Sequence, residues 1–303
     1  MAVTYYLFRS IAWLVSRLPF PILYLKSDAL YLLLYFIFGY RKKVVLTNLH
    51  RAFPGLDEKE RRRIARRYYR NLCDIILENI KVEGMRRSQL AQRVTFSGVE
   101  IIDDFHSQGR AVLLALGHCG NWEWAGPALC HHARPRGFAA VKHLSDPRFN
   151  RYMEYLRGRF FPGRTIPFKM TLRYLMGMKD EAYMVVLAAD QTPTRQESRF
   201  WTTFLNQETP FFEGSGKLAH GLGLAVCYVD IQRVRRGYYH GTISTITPNG
   251  KASDPGDILL EYVNRLEKSI QEAPDNWLWS HRRWKHQRGE ETLHPRKPQR
   301  DIV

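Results

Sequence analysis

The chain has 303 residues, of which 45% are apolar, so it can bury a substantial core and is not a disordered polypeptide. Its 46 Lys and Arg outnumber its 29 Asp and Glu, and the resulting charge of +17 favours anionic partners such as phospholipid surfaces, acidic proteins, phosphorylated substrates or nucleic acid. The four cysteines are scattered, which excludes a disulfide scaffold and indicates reducing surroundings. Because the sequence contains no Cys/His spacing typical of zinc ligands, we expect no metal site and no cofactor.

The N-terminal segment is strongly apolar. Residues 5–40 are mostly Leu, Ile, Phe, Tyr and Trp, but charges and prolines interrupt them, so no stretch reaches the roughly 18 uncharged residues of a clear membrane span. We expect residues 1–45 to form a helical hairpin that dips into or crosses one membrane, with the basic cluster of residues 41–43 on the cytoplasmic side. The alternative is a buried helical pair packed on the rest of the protein, residues 46–303.

A basic amphipathic helix is predicted next. Leu56 and Asp57 open it, and apolar residues then recur at helical spacing from Ile64 to Ile76, which leaves most arginines of the run ERRRIARRYYR for the opposite face. Such a face is either simply solvated or an anchor to anionic lipid. A nucleic-acid-binding helix would need a supporting module signature, and the sequence has none, so we expect no nucleic-acid partner.

The middle of the chain alternates between strand and helix patterns. Buried strands are predicted in RAVLLALG, GFAAVKH, AYMVVLAAD and VCYVDIQRVR, and helices in NWEWAGPALCHHA, DPRFNRYMEYLRGRF and GKLAHGLGLA. This alternation predicts an α/β fold with a mostly parallel central sheet flanked by helices. His118 and Asp190 both fall at predicted strand ends, where functional residues collect in open α/β sheets. Residues 288–303 have the composition of a polar tail.

The stretch LLALGHCGNWEWAG contains a candidate catalytic pair, His118 and Glu123. On one regular helix, side chains five positions apart would point roughly 140° away from each other. If residues 117–120 instead form a turn, His118 can fold back across the helix N-terminus towards Glu123. The carboxylate would then orient the imidazole as a general base, and the substrate would supply the nucleophile. An incidental His and Glu remains the alternative reading.

Two neighbours in this stretch have competing interpretations. Cys119 is either a thiol nucleophile served by His118 or a passive small residue. Asn121, at the predicted helix start, either caps the helix or contacts substrate.

Five blocks in order along the chain resemble the glycerolipid acyltransferase superfamily and, within it, the late lipid A acyltransferases. The block GHCGNWEW carries the His and the acid four residues further on that mark the superfamily. The other similar blocks are RKKVVLTNLHRAFPGLDEKER, LRGRFFPGRTIP, ADQTP with FLNQETPFFEGSGKLA, and APDNWLWSHRRWK. The resemblance implies transfer of a fatty acyl group from an acyl carrier protein or acyl-CoA to a hydroxyl of a membrane-embedded lipid acceptor.

The resemblance also implies roles for individual residues. His118 would be the general base and Glu123 its orienting partner. Arg159 would be the arginine of the second block, with Arg157 and Arg164 as competitors or a surface cation as the alternative reading. Asp190 and Gln191 would line the far wall of the site, although Asp190 could also be a loop cap.

One departure bears on the acceptor. Gly216 stands where the lipid A branch is expected to have a glutamate, so an aminolipid or another lysolipid is an alternative acceptor. We assign no role to Glu213, and Lys217 is either a phosphate contact or a helix-face lysine.

The acceptor is expected to reach the site from the inner membrane, on its cytoplasmic side. The N-terminal segment and WLWSHRRWK would help, with tryptophans at the interface and cations at phosphates. An acidic carrier protein would be steered to the basic face. Two other function classes stay open, namely a thioesterase or lipid hydrolase, in which water replaces the acceptor, and a non-enzymatic basic membrane-binding protein.

Overall fold

The computed structural model describes residues 2–160, 165–178, 181–289 and 293–294. Most of the predicted polar tail therefore lies outside the described residues. The helices are α1 Ala2–Arg17, α2 Phe20–Leu32, α3 Lys42–Ala52, α4 Glu58–Lys81, α5 Arg87–Ala91, α6 Val99–Ser107, α7 Trp122–His132, α8 Pro147–Gly158, α9 Thr171–Met176, α10 Gly214–Leu222 and α11 Pro255–Glu272. The strands are β1 Val94–Ser97, β2 Val112–Leu116, β3 Arg136–Val141, β4 Thr165–Pro167, β5 Tyr183–Ala188, β6 Phe200–Phe204, β7 Gln207–Phe211, β8 Ala225–Arg235, β9 Tyr238–Thr247 and β10 Leu293–His294.

The central sheet has seven strands in the order β1-β9-β8-β2-β5-β3-β4. All neighbouring strands are parallel except β8 and β9, which form an antiparallel hairpin. A second small sheet contains β10, β6 and β7. The predicted α/β fold with a mostly parallel, helix-flanked sheet is thus confirmed, and the sequence patterns missed the second sheet.

Strand β2 lies at the centre of the sheet and is buried along its whole length. Leu113 and Ala115 face the core that contains α3, α4 and α11, whereas Leu114 and Leu116 face the core beneath α6 and α7. Because successive strand residues point to opposite faces, a strand covered on both sides must be continuously apolar. This double burial explains the unbroken apolar run before His118 and fixes where that residue leaves the sheet.

The N-terminal helices lie along α4. Asp57 caps α4 through a capping box with Glu60, as the predicted helix start required. Helix α2 buries Leu23, Ser27 and Tyr31 and continues into a π-helical turn, Leu33–Ile37. The faces of α1 and α2 that point away from α4 remain exposed. The N-terminal helices therefore pack on the protein, as in the buried-pair alternative, and also present an open face, as expected for a membrane-associated segment.

The C-terminal block folds into the protein interior. Trp277 and Trp279 are 2% and 0% exposed, and Arg283 is completely buried. The Asn48 side chain donates to the carbonyl oxygens of Trp279 and His281, at 2.9 and 3.0 Å. The expectation that Trp277 and Trp279 lie at a membrane interface is therefore wrong, because both indoles are core residues.

Candidate active site

His118 lies immediately beyond β2, in a turn that leads into α7. Gly120 in that turn has φ +54°, and a side chain at this position would contact Ile231 and Tyr239. The backbone N–H of Gly120 donates to the carbonyl oxygen of Asn276 at 3.0 Å. The glycine therefore allows the chain to turn sharply against the C-terminal segment, which leaves His118 at the carboxyl edge of the sheet.

Asp190, just beyond the end of neighbouring strand β5, holds the histidine. Its Oδ1 lies 2.5 Å from His118 Nδ1, and its Oδ2 accepts the His118 backbone N–H at 2.9 Å. The indole N–H of Trp277 also donates to Oδ2, at 2.7 Å. Because β2 and β5 are parallel neighbours, their carboxyl ends bring the two side chains together. The aspartate thus fixes both the backbone and the ring of His118.

The charges of this pair shift both pKa values. Burial lowers the pKa of His118, but the charge and hydrogen bond of Asp190, together with the charge of Glu123, outweigh it and raise the pKa. Burial favours protonation of Asp190, yet His118 and the hydrogen bond from Trp277 lower its pKa to about 2. Asp190 is therefore a carboxylate at neutral pH, and it stabilises an imidazolium on His118.

The other ring nitrogen of His118 faces the open side of the site. With Nδ1–H donated to Asp190, Nε2 of the neutral ring is a hydrogen-bond acceptor, and the side-chain N–H of exposed Gln191 donates to it at 3.1 Å. The edge of Trp122 contacts the ring, with centroids 5.0 Å apart. The imidazole is 15% exposed. A ligand that reaches this edge can accept or donate a proton at Nε2.

The loop that carries Asp190 is anchored to the C-terminal block. The Thr192 backbone N–H donates to Nε2 of His281 at 3.0 Å, and its hydroxyl donates to the carbonyl oxygen of Arg283 at 2.7 Å. Burial and the charge of Arg283 lower the pKa of His281 to about 4, so its ring is neutral and can accept this hydrogen bond. The terminal block therefore supports the site from behind.

Glu123 does not orient His118 in this structure. As the second residue of α7, its carboxylate faces α8 and accepts two hydrogen bonds from Arg157, at 2.6 and 2.8 Å. In place of the predicted hydrogen bond between His118 and Glu123, His118 Nδ1–H donates to Asp190 at the end of the neighbouring strand. Glu123 still influences His118 through its charge.

Of the two candidate arginines that the structure describes, Arg157 is the one placed in the site. The preferred candidate, Arg159, points elsewhere: its guanidinium donates to the carbonyl oxygen of Met85 and to the Tyr155 hydroxyl, at 3.1 and 3.3 Å. Positions 157 and 159 lie about 200° apart on a helix, so only one of them can face α7. Arg164 lies outside the described residues.

Asn121 is the N-cap of α7. Its Oδ1 accepts the Trp124 backbone N–H at 3.1 Å, and its Nδ2 donates to the carboxylate of Glu78 at 2.9 Å. The residue is completely buried, which leaves no exposed surface for a substrate. Of its two interpretations, the structure therefore favours the cap.

Cys119 is a poor nucleophile in this environment. Burial, followed by the negative charges of Asp190 and Asp230, raises the pKa of the thiol well above its ordinary value, so the reactive thiolate is disfavoured. Its backbone forms an isolated bridge to Trp277. The structure therefore favours the passive reading of Cys119.

Two supporting residues escaped the sequence interpretation. Trp277 was predicted at a membrane interface, and Glu78 was only one of several acids in a basic helix. Glu78 is completely buried and accepts hydrogen bonds from Tyr24, Asn121 and Tyr239. The available signal was the stretch CDIILENI, in which the acids Asp74 and Glu78 alternate with apolar residues, because a buried carboxylate needs several hydrogen-bond donors.

The structure explains why position 216, in the block FLNQETPFFEGSGKLA, is a glycine. A Cβ there would lie 2.2 Å from the carbonyl oxygen of Pro255, because α10 meets the start of α11 closely. Lys217 pairs with Glu213 at 2.8 Å on the exposed helix face, in agreement with the helix-face reading of this lysine.

Comparisons with known proteins identify the family. A family model described as bacterial lipid A biosynthesis acyltransferase matches residues 1–286. The chain is 25% identical over 282 residues to a lipid A biosynthesis palmitoleoyltransferase of Escherichia coli (strain K12), and likewise to a lipid A biosynthesis acyltransferase of Shigella flexneri. It is 23% identical over 278 residues to a lipid A biosynthesis lauroyltransferase of Escherichia coli (strain K12). Each match covers 91% of this chain and 89% of the relative. The chain is thus an acyltransferase and belongs to the bacterial lipid A biosynthesis acyltransferase family.

Proposed function

We propose that this protein is a membrane-associated O-acyltransferase that moves a fatty acyl group from an acyl carrier protein to a hydroxyl of a lipid A precursor. The relatives described above are lipid A biosynthesis acyltransferases, which supports lipid A as the acceptor. The observation that carries the chemistry is the His118 ring, held through Nδ1 by Asp190 while Nε2 faces the open side. A histidine in this arrangement acts as a general base, and the substrate supplies the nucleophile.

The reaction follows from this arrangement. Nε2 of His118 takes the proton of the acceptor hydroxyl as its oxygen attacks the thioester carbonyl, and the new C–O bond gives a tetrahedral oxyanion. The oxyanion collapses with cleavage of the C–S bond, and the imidazolium returns the proton to the departing thiolate. The Asp190 carboxylate stabilises the imidazolium between these steps. The residues account for the full proton balance without an enzyme nucleophile.

Glu123 and Arg157 have a supporting role in this scheme. Their paired charges lie close enough to act on the His118 ring, Glu123 raising its pKa and Arg157 lowering it. The pair also ties α8 to the first turn of α7. The amide groups of Trp122 and Glu123 open that helix, and its positive dipole end favours a developing oxyanion.

Membrane association is supported by the exposed side chains of the N-terminus. Of twenty exposed large hydrophobic residues in the described part of the chain, thirteen lie within residues 1–40. The segment Phe20–Ile37 is long and apolar enough to cross a membrane. Because α1 and α2 both pack along α4, we propose that residues 1–45 lie in the interface of the inner membrane rather than crossing it, with the site on the cytoplasmic side.

The acyl donor is proposed from charge. The protein carries a net charge of +17, and an acyl carrier protein is an acidic partner that this field would attract. Acyl-CoA, with fewer charges and no protein surface, would gain less from steering. A direct comparison of the two thioesters at low and raised salt tests this choice, since only the carrier protein should lose rate steeply as salt rises.

Lipid mass spectrometry tests the proposed function. Whole lipid extracts are compared from cells with the protein, without it, and with His118→Ala. We expect lipid A to lack one acyl chain in both deficient strains. A change confined to aminolipids or phospholipids would overturn the acceptor, and unchanged lipids throughout would overturn acyl transfer itself. Thioester cleavage that proceeds equally fast without acceptor would identify a hydrolase.

A further inference from the structure

A charged pocket lies outside the candidate active site. It has a volume of about 490 Å³ and lies between α2, α4 and the turn that joins β8 to β9. Four arginines line it, Arg67, Arg70, Arg233 and Arg236, and we call it the arginine pocket. None of the candidate active-site residues is among its lining residues in the described part of the chain.

Carboxylates hold three of these arginines in place. Asp74, almost completely buried, accepts hydrogen bonds from both Arg233 and Arg236, at 2.6 and 2.7 Å. Arg236 also pairs with Asp28 at 2.7 Å, and Arg67 pairs with Asp275 at 3.1 Å. A guanidinium has five N–H groups, so Arg67 and Arg233 keep donors for a further ligand, whereas Arg236 uses most of its donors on Asp28, Asp74 and Tyr24. The acids therefore fix the geometry of the pocket while only partly neutralising it.

Arg70 is different from its neighbours. Within the described residues it forms no ion pair with a carboxylate, and its guanidinium lies 5.1 Å from the centroid of the Tyr31 ring. Four guanidinium groups thus share three acids in the pocket, and the remaining positive charge is on Arg70. An oxyanion bound beside Arg70 would complete the charge balance and use the bidentate geometry that arginine offers to phosphate.

The opposite wall of the pocket is apolar and belongs to α2. Tyr31 and Leu32 line it, and Leu32 is 53% exposed. Beyond Leu32, the exposed Leu33, Phe36 and Ile37 continue the apolar face that we assign to the membrane interface. The mouth of the pocket therefore borders the surface where a bilayer would place its phosphate groups.

We propose that the arginine pocket binds the phosphate of an anionic glycerophospholipid. The phosphate contacts Arg70 and Arg67, the glycerol lies against Tyr31 and Leu32, and the acyl chains follow the exposed face of α2. A concave pocket of this volume fits a headgroup rather than the flat surface of an acidic protein. The proposal rests on the membrane interface assigned above and is independent of the acyl-transfer chemistry.

A calorimetric titration of the full-length protein in neutral detergent tests the pocket. The probe is dihexanoyl phosphatidylglycerol below its micelle concentration. We expect binding to the wild type and about tenfold weaker binding to Arg70→Gln, the loss of one charge-assisted contact. Arg63→Gln is the matched control, because Arg63 is exposed on the same helix, loses the same charge and does not line the pocket. It should bind within twofold of the wild type.

Each other outcome would overturn the proposal. Equal losses in the two variants would indicate diffuse charge, and equally tight binding of dihexanoyl phosphatidylcholine would exclude recognition of an anionic lipid. Equally tight binding of inorganic phosphate would indicate a site for a free anion. Acyl transfer in phospholipid-free detergent should have an unchanged acceptor KM in Arg70→Gln, and a raised KM would assign the pocket to an anionic group of the acceptor. Because the titration contains no acyl donor, failure of the proposed catalysis leaves its result intact.

Discussion

Two acid–base pairs lie near each other in the candidate site, and they differ in how they are held. Asp190 is 2% exposed and accepts three hydrogen bonds, two from His118 and one from Trp277. Glu123 is 16% exposed and pairs with Arg157 at a similar distance. The first pair is enclosed by the sheet and the C-terminal block, whereas the second joins two helices at the rim.

The difference matters because only one of the two pairs can transfer a proton near neutral pH. An imidazole can gain or lose a proton, the pKa of His118 is raised by the charge and hydrogen bond of Asp190, and Asp190 remains ionised to support it. Arginine keeps its proton, and the pKa of Arg157 is raised further by Glu123 despite the burial that lowers it. The His118–Asp190 pair is therefore suited to chemistry, and the Arg157–Glu123 pair to fixed charge and position.

The largest expected effect comes from removing the proposed base. His118→Ala should lower kcat for acyl transfer about 1,000-fold, within the range known for general bases. Steady-state kinetics with purified protein measures the loss, and circular dichroism checks that the fold is retained. Activity within tenfold of the wild type would exclude His118 as the base.

Asp190→Asn should have the next largest effect, about 100-fold in kcat, because the ring loses its orienting carboxylate. As the proposed base, His118 would work in its neutral form, so wild-type activity should rise as pH increases through its raised pKa. Without the charge of Asp190 that pKa falls, and the acidic limb of the pH profile should move to lower pH. A profile that stays in place while kcat falls would indicate a purely structural role.

Glu123→Gln should cost less, about tenfold in kcat, because it removes a supporting charge and a helix contact rather than the partner of the base. Arg157→Gln should behave similarly. Arg159→Gln is the matched control on the same helix and should stay within twofold. If Glu123→Gln were more damaging than Asp190→Asn, the assignment of the two pairs would be reversed.

The contrast between the pairs also shows what the sequence could predict. The alternating patterns located most central strands and the turn at His118, because a doubly buried strand must be apolar throughout. They placed His118 and Asp190 at strand ends, yet the order of strands was unknown. The contact between them depends on β2 and β5 being neighbours, and that order is a tertiary property.

The remaining errors have a similar origin. Trp277 and Trp279 were predicted at a membrane because tryptophan is amphipathic, but both indoles are buried, and Asn48 of α3 holds the backbone of Trp279. Arg159 was preferred over Arg157 because motif spacing does not determine which face of α8 meets α7. In each case the residue type indicated a possible role. The actual role depended on a contact with a residue far away in the chain, which the sequence pattern does not show.

The smallest effect should appear in stability against pH. Asp190 has a lowered pKa, so its stabilising contribution is present above about pH 4 and is lost as pH falls towards 2. His118 has a raised pKa, so its contribution is complete below about pH 6.5 and is lost as pH rises through the folded-state value. Thermal melting in detergent measures the stability margin, which is the difference in stability between the wild type and Asp190→Asn. This margin should be widest between about pH 4 and pH 6.5. The margin should narrow on the alkaline side, as His118 loses its proton. The margin over Arg157→Gln should show no alkaline decrease, because the guanidinium keeps its charge throughout. If the stability differences from Asp190→Asn and from Arg157→Gln changed in the same way with pH, the His118–Asp190 pair would not titrate differently from the Arg157–Glu123 pair. That result would contradict the assignment of His118 as the base.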